Sequence, residues 1–220
     1  MMRRFLKKLG YSWKRFRKSL RKLRDEEEYE QKAAWLRQLV ELNRAGCIDL
    51  FFADQSGFSM EGYVPYGWQP KGEHIEMTPR RSKATQVFGL MSTDNRLQAY
   101  SCKGSMDSQA AIAFLDDFAG RLGKQTVVVL DNAPIHRSGR FMDRAEEWER
   151  QGLLLFFLPK YSPHLNLIEI LWRKVKYEWL EYERLTDQGQ LDLELERILS
   201  QFGNQYKINF KQEKVSDIFA

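Results

Sequence analysis

The stretch VVVLDNAPIHRSG, residues 127–139, constrains the fold more than any other part of the chain. Four apolar residues, three of them β-branched, run unbroken into Asp131, so a buried strand over 126–131 ends on a carboxylate. The segments around it set the class. IDLFFAD (48–54) reads as a buried strand ending at Asp54, and ATQVFGLMS and LQAYSCKG flank TDN as a hairpin. SQAAIAFLDDFAGRLG has helical spacing and a closing glycine, a further helix falls near 139–151, and LLLFFL (153–158) is a short strand. PKYSP then leads into a helix from about Asn166 to Tyr182, and an amphipathic helix follows over roughly 190–201. Upstream, Ala33, Leu36, Leu39, Val40 and Leu42 recur at helical spacing up to Gly46, a C-cap signal. SGFSMEGYVPYGWQPKGE, rich in glycine and proline, reads as a loop with a short hairpin. Hairpin strands followed by alternating helix and strand describe a mixed α/β sheet covered by helices. In such sheets ligand-facing residues collect near the carboxyl ends of central strands, where Asp54 and Asp131 both fall.

At 220 residues and 43% hydrophobic, the chain can bury one substantial core or two small ones. No run approaches the ~18 apolar residues of a membrane span, and the basic start lacks a signal peptide's apolar region. Cys47 and Cys102 lack metal-type spacing, which argues against a disulfide framework or a zinc site and fits a cytoplasmic protein. Charge is segregated. Residues 1–24 hold eleven Lys and Arg and no acid, so against a total of +5 the remainder carries −6. A basic helical arm on an acidic body, with Trp13 and Phe16 among the cations, suits a polyanionic partner, nucleic acid before anionic lipid.

A third carboxylate belongs with the two strand-end aspartates. In the helix from Asn166, Ile168, Leu171, Trp172, Val175 and Trp179 form an apolar stripe, and Glu169 lies about 100° round from Ile168. Arg173 and Lys176 share the side of Glu169, and Asn166 is placed to cap the helix or steady Glu169. Taken singly, Asp54 is an ordinary strand terminator, Asp131 a turn residue and Glu169 a first-turn acid favoured by the helix dipole. Gathered together, three carboxylates repel one another unless divalent cations relieve the repulsion. Mg²⁺ takes such hard ligands, and two ions about 4 Å apart can serve both oxygens of a phosphodiester displacement. His136 suits a phosphate contact or a supporting place behind the ligands, as does Asn132.

FFADQSGF, VVVLDNAPIHRS and LPKYSPHLNLIEILWRKVK together resemble the catalytic domain of DDE transposases of the mariner-like superfamily, which includes many bacterial insertion sequences. YVPYGWQPKGE is similar to a hairpin segment of that group. The resemblance runs from about residue 12 to the end of WRKVK, and more loosely beyond. It implies an RNase H-like fold with Asp54, Asp131 and Glu169 as the catalytic, metal-binding acids. It also implies Mg²⁺, with Mn²⁺ as a substitute, cleavage of DNA at transposon ends, and strand transfer into target DNA at TA. A homodimer on DNA and a nucleoid-associated place in the cytoplasm follow from the same likeness. The family pattern has proline where Lys160 and Leu167 stand and an acid where His164 stands. Its members begin with paired helix-turn-helix modules, whereas this chain opens at what resembles the linker after them. The second frame of a split element, a truncated remnant and a catalytic-domain product all fit, and a separate helix-turn-helix product of an upstream frame is one expected partner. The expected organisation is a basic linker and helical arm (1–46), an RNase H-like catalytic domain (47–183), and a C-terminal helix and tail (184–220). Two alternatives stay open: a catalytically silent, transposase-derived DNA-binding protein, and another RNase H-like nuclease.

Overall fold

The computed structural model describes residues 2–11, 23–60, 83–132 and 139–210. The expected YVPYGWQPKGE hairpin, His136, Trp13 and Phe16 lie outside them. Among these residues five strands form one sheet: β1 (Asp49–Phe58), β2 (Thr85–Ser92), β3 (Leu97–Lys103), β4 (Thr126–Leu130) and β5 (Leu153–Phe157). Their order across the sheet is β3-β2-β1-β4-β5. The hairpin strands pair antiparallel, β1 with β2 and β2 with β3, whereas β4 runs parallel to both β1 and β5. The helices are α1 (Met2–Lys8), α2 (Glu26–Arg44), α3 (Ser108–Ala119), α4 (Gly139–Arg150), α5 (Ile168–Lys174) and α6 (Gln188–Ser200).

Alternation along the central strands sends side chains to two apolar clusters. Leu50 and Phe52 of β1 and Val127 and Val129 of β4 face α2, α5 and α6; Phe51 and Ala53, with Val128 and Leu130, face α3 and α4. Helix α2, expected with the arm, and α6, expected after the catalytic domain, both pack into the first cluster through Ala33, Leu36 and Val40 and through Leu191, Leu195 and Ile198. Local chemistry marks the ends of α2. Asp25 accepts from the N–H groups of Glu27 and Glu28, a cap worth about 1 kcal/mol. At the other end Gly46 takes φ +74°, while the Cys47 N–H reaches back to the Leu42 carbonyl and closes the helix. Arg24, although in the basic run, is buried, with its guanidinium over the Tyr29 ring at 3.5 Å and paired with Glu26. No helix among the described residues is long and apolar enough to cross a membrane.

Candidate active site

Strand β1 does not end at Asp54. Its antiparallel pairing with β2 continues through Asp54↔Gly89 to Phe58↔Thr85, so Gln55-Ser56-Gly57 is strand rather than turn. What ends here is β4, which pairs with β1 only as far as Phe52↔Val129. Asp54 and Asp131 each stand two residues beyond that matched pair. A side-chain period of two aims both at the face that receives Phe52, Val129 and α5. The two acids are therefore neighbours by register.

The third acid arrives on α5, and the way in differs from the expected continuous helix. After β5 the Leu158 N–H extends the ladder to the Leu130 carbonyl, the chain loops through Pro159–Ser162, and a 3₁₀ turn forms over Pro163–Leu165. The α-helix begins at Ile168, not Asn166, widens into a π-helical turn over Val175–Trp179 and stops before Leu180, short of Tyr182. Asn166 does not cap it with its side chain. Its Nδ2 instead donates to the Ala53 carbonyl at 2.9 Å, tying the approach to α5 onto β1 one residue before Asp54. Only the Asn166 backbone carbonyl serves the helix, accepting the Glu169 N–H at 3.1 Å. Glu169 is the acid of the first turn.

Gly89, directly across from Asp54 on β2, allows α5 to sit this close. A Cβ there would lie 2.8 Å from Trp172 Cη2 and Cζ2 and 3.0 Å from Ile168 Cδ1. The sequence reading did not single it out, although a glycine inside an otherwise apolar strand is the signal for close approach. Tyr161 was missed as well. It holds a left-handed backbone (φ +58°) in the loop between β5 and α5, a strained state for a bulky residue that recurs at functional loops.

Asp54, Asp131, Asn132, Asn166 and Glu169 line one cavity of about 360 Å³, walled by the Leu158–Pro163 loop. Burial above all, with Glu169 and Asp131 acting in the same direction and the Gln55 N–H opposing them, pushes the Asp54 carboxyl up to about 7. The Trp172 indole N–H acts in the same sense as Gln55. It lies near Asp54, yet among the described residues it completes no well-formed hydrogen bond. Crowding by the cavity wall likewise raises Glu169; Lys176 draws it down and Asp131 pushes it up. Glu169 remains solvent-accessible at the cavity lip, so the desolvation is incomplete. Among the described residues no three His, Cys, Asp or Glu side chains are drawn into a closed metal cage.

Of the cations expected nearby, Lys176 acts on Glu169 and also lies 5.3 Å from the centre of the Phe58 ring, while Arg173, one turn after Glu169, is exposed. His164 is turned from the carboxylates toward α2, 3.0 Å from the Tyr29 hydroxyl. A larger cleft of about 580 Å³ lies between β3 and α6, but its Asp192 already accepts from Thr85 Oγ1 and Gln188 Nε2.

The sequence model of the DDE superfamily endonucleases matches residues 49–192, which spans β1 to the first turn of α6 and all three acids. Solved structures with the same fold include the Mos1 transposase paired-end complex with left transposon end, at TM-score 0.66 and 13% identity, covering 99% of this chain and 66% of that one. The Mos1 strand transfer complex gives TM-score 0.61 and 14% identity, covering 99% and 65%. The catalytic domain of Mos1 mariner transposase gives TM-score 0.50 and 10% identity, covering 94% and 92%. The chain thus spans about two-thirds of the transposase chains in those complexes and nearly all of the isolated catalytic domain. No curated protein sequence matches it significantly. With the strand order above, these likenesses identify the fold as RNase H-like.

Proposed function

The chain belongs to the DDE superfamily of endonucleases, and from that premise we propose that it is the catalytic part of a transposase, cutting DNA at transposon ends and joining those ends to target DNA. The supporting observation is the meeting of Asp54 from β1, Asp131 from the end of β4 and Glu169 from α5 at one cavity, where Glu169 and Asp131 raise the cost of ionising Asp54 and Asp131 raises that of Glu169. A cluster like this is unfavourable by itself and suits a site completed by positive charge. The donor set fits Mg²⁺ or Mn²⁺: three carboxylates, with the buried Asn132 Oδ1 and Asn166 Oδ1 lacking hydrogen-bond partners among the described residues. Bound divalent cations would supply Lewis-acid polarisation of the phosphodiester and a more acidic attacking water. The protein's own groups prepare for this. Asp54, with a pKa near 7, holds a proton part of the time and must release it to become a ligand. Lys176 favours the ionised form of Glu169. The Asn166 clamp and the packing of Trp172 against Gly89 keep β1 and α5 in register.

In this reading residues 26–210 form the catalytic body and the basic run before them contacts DNA phosphates, with TA as the target and a homodimer on DNA as the working assembly. The Mos1 structures are of paired-end and strand transfer complexes, which supports that assembly by analogy of fold. Helix-turn-helix modules supplied from another segment or product would read the ends.

The deciding experiment is nicking and strand transfer by the full chain in Mg²⁺ on DNA carrying complete transposon ends, comparing the parent with Asp131→Asn. Asn is nearly isosteric but lacks the charge that holds a cation, so activity should vanish while circular dichroism and thermal unfolding stay those of a folded protein. Activity of the variant within about tenfold of the parent, under saturating Mg²⁺, would rule out Asp131 as a ligand.

A further inference from the structure

We infer that Asn166 is a fourth oxygen donor of the carboxylate site, its amide nitrogen holding the strand that carries Asp54 and its amide oxygen facing the divalent cation directly or through that cation's water. This rests on the reading that Asp54, Asp131 and Glu169 bind such cations. The orientation of the amide is settled by chemistry: only the NH₂ end can donate to the Ala53 carbonyl, which it meets at 2.9 Å, so Oδ1 is turned the other way. Asn166 is 3% exposed and lines the acid cavity. Its Oδ1 is buried and has no hydrogen-bond partner among the described residues. A buried amide oxygen left without a donor is costly, and native proteins rarely tolerate one without a use.

The neighbours narrow that use. Asp54, Asp131 and Glu169 are acceptors when ionised and give Oδ1 nothing, and the Ser162 hydroxyl is spent on the Lys160 carbonyl at 3.3 Å. Asn132, Lys160 and Tyr161 also line the cavity and carry donors, but none of them bonds Oδ1. A cation or its coordinated water is what remains to satisfy it. A neutral oxygen has a further merit here. It adds a hard ligand without adding to the mutual repulsion of the three carboxylates. Of the two roles the sequence suggests for Asn166, capping the helix or steadying Glu169, the cap would have spent the oxygen on the α5 N–H groups; the backbone carbonyl of Asn166 takes that work.

The test is Mn²⁺ binding by the full chain, followed by calorimetry and by the loss of the free-ion paramagnetic signal, for the parent, Asn166→Ala, Asn166→Asp and Asp54→Asn. Both Asn166 variants lose the N–H to Ala53, but only the aspartate keeps an oxygen toward the cavity. Asn166→Ala should weaken Mn²⁺ binding roughly tenfold or more, the usual scale for such groups, while Asn166→Asp stays much nearer the parent. Unfolding midpoints without metal report the lost clamp separately. If the alanine variant does not fold, Asn166→Leu, close to Asn in shape and without a side-chain oxygen, takes its place with the same expectation. Equal weakening in the alanine and aspartate variants would mean that Asn166 acts only through Ala53, and unchanged binding in both would remove it from the site; either overturns the inference. A parent that binds no Mn²⁺, or an Asp54→Asn variant that binds as well as the parent, would instead overturn the metal-site reading beneath it.

Discussion

Gly89→Ala probes the link between sheet packing and the site, because a single methyl group there meets α5 and nothing catalytic. The new Cβ would stand 2.8 Å from two carbons of the Trp172 ring and 3.0 Å from Ile168 Cδ1. Carbon pairs rest at about 3.5–4.0 Å, so the indole must withdraw by roughly 0.7–1 Å. Overpacking on this scale costs about 1–3 kcal/mol. Against it, alanine restricts the unfolded chain and returns roughly 0.4–1 kcal/mol. The net loss is about 0–2.6 kcal/mol, which for a domain of this size lowers Tm by up to roughly 10 °C. The functional effect should be larger than the stability effect. Glu169 rides on the same turn as Trp172, and a displacement of about 1 Å at a reacting centre costs on the order of 10²-fold in rate. Thermal unfolding and Mg²⁺-dependent nicking of end-bearing DNA, run on the same preparations, read both quantities. A second substitution, Trp172→Phe, removes the colliding ring atoms, so the pair should show favourable coupling of at least about 0.5 kcal/mol in stability. It should not restore nicking fully, because the indole N–H beside Asp54 is gone. If Gly89→Ala matches the parent in both Tm and nicking, α5 is not held by this contact. If it loses stability but nicks normally, the contact does not position Glu169.

Two further outcomes follow from the same structure. The folded, metal-free protein holds Asp54 at a pKa of about 7 against 3.8 ordinarily. The folded state thus retains a proton that the unfolded chain releases, and stability falls as pH rises from about 4 to about 7. Asp54→Asn should be the more stable protein at pH 8 without metal, with its advantage shrinking toward pH 4 in urea titrations; a pH-independent difference would refute the assignment. In the arm, Arg24 is committed to Tyr29 and Glu26, which leaves ten of the eleven cations for DNA. If a third to a half of these engage phosphates, the log–log salt slope of binding should be about −3 to −4.5, flattening when residues 1–22 are deleted; a steep slope that survives the deletion would place the contacts on the body.

Much of the sheet was legible because its strands are short, apolar and punctuated. The runs over 126–130 and 153–157, the hairpin about TDN and the acid at the end of β4 all follow from hydrophobic pattern and turn chemistry. Pairing was less legible. Whether β1 stops at Asp54 depends on where β2 and β4 let go of it, and β2 holds on four residues longer than Gln55-Ser56-Gly57 suggested. The start of α5 failed for a related reason. An Asn before an apolar run reads as a cap, but the Ala53 carbonyl, 113 positions away in sequence, competes for its amide. Local propensity cannot see such a competitor. Gly89 was visible as a glycine in a strand, yet its purpose needs the indole that fills the space.

The three acids do not hold themselves together; apolar packing holds them against their own repulsion. Phe52 and Val129, which precede Asp54 and Asp131 by two residues, and Ile168 and Trp172, which flank Glu169, all belong to one buried cluster that continues into α2 and α6. Each acid is thus attached to the rim of a shared core rather than to the other acids, and Asp54 and Glu169 are ionised at a cost that the core can bear. That arrangement explains why an Asn in place of Asp54 should stabilise the metal-free protein while disabling it. It also explains why a methyl group at Gly89, whose nearest contacts would be Trp172 and Ile168 and not an acid, should reach the site, because disturbing the packing moves the platform on which Glu169 stands.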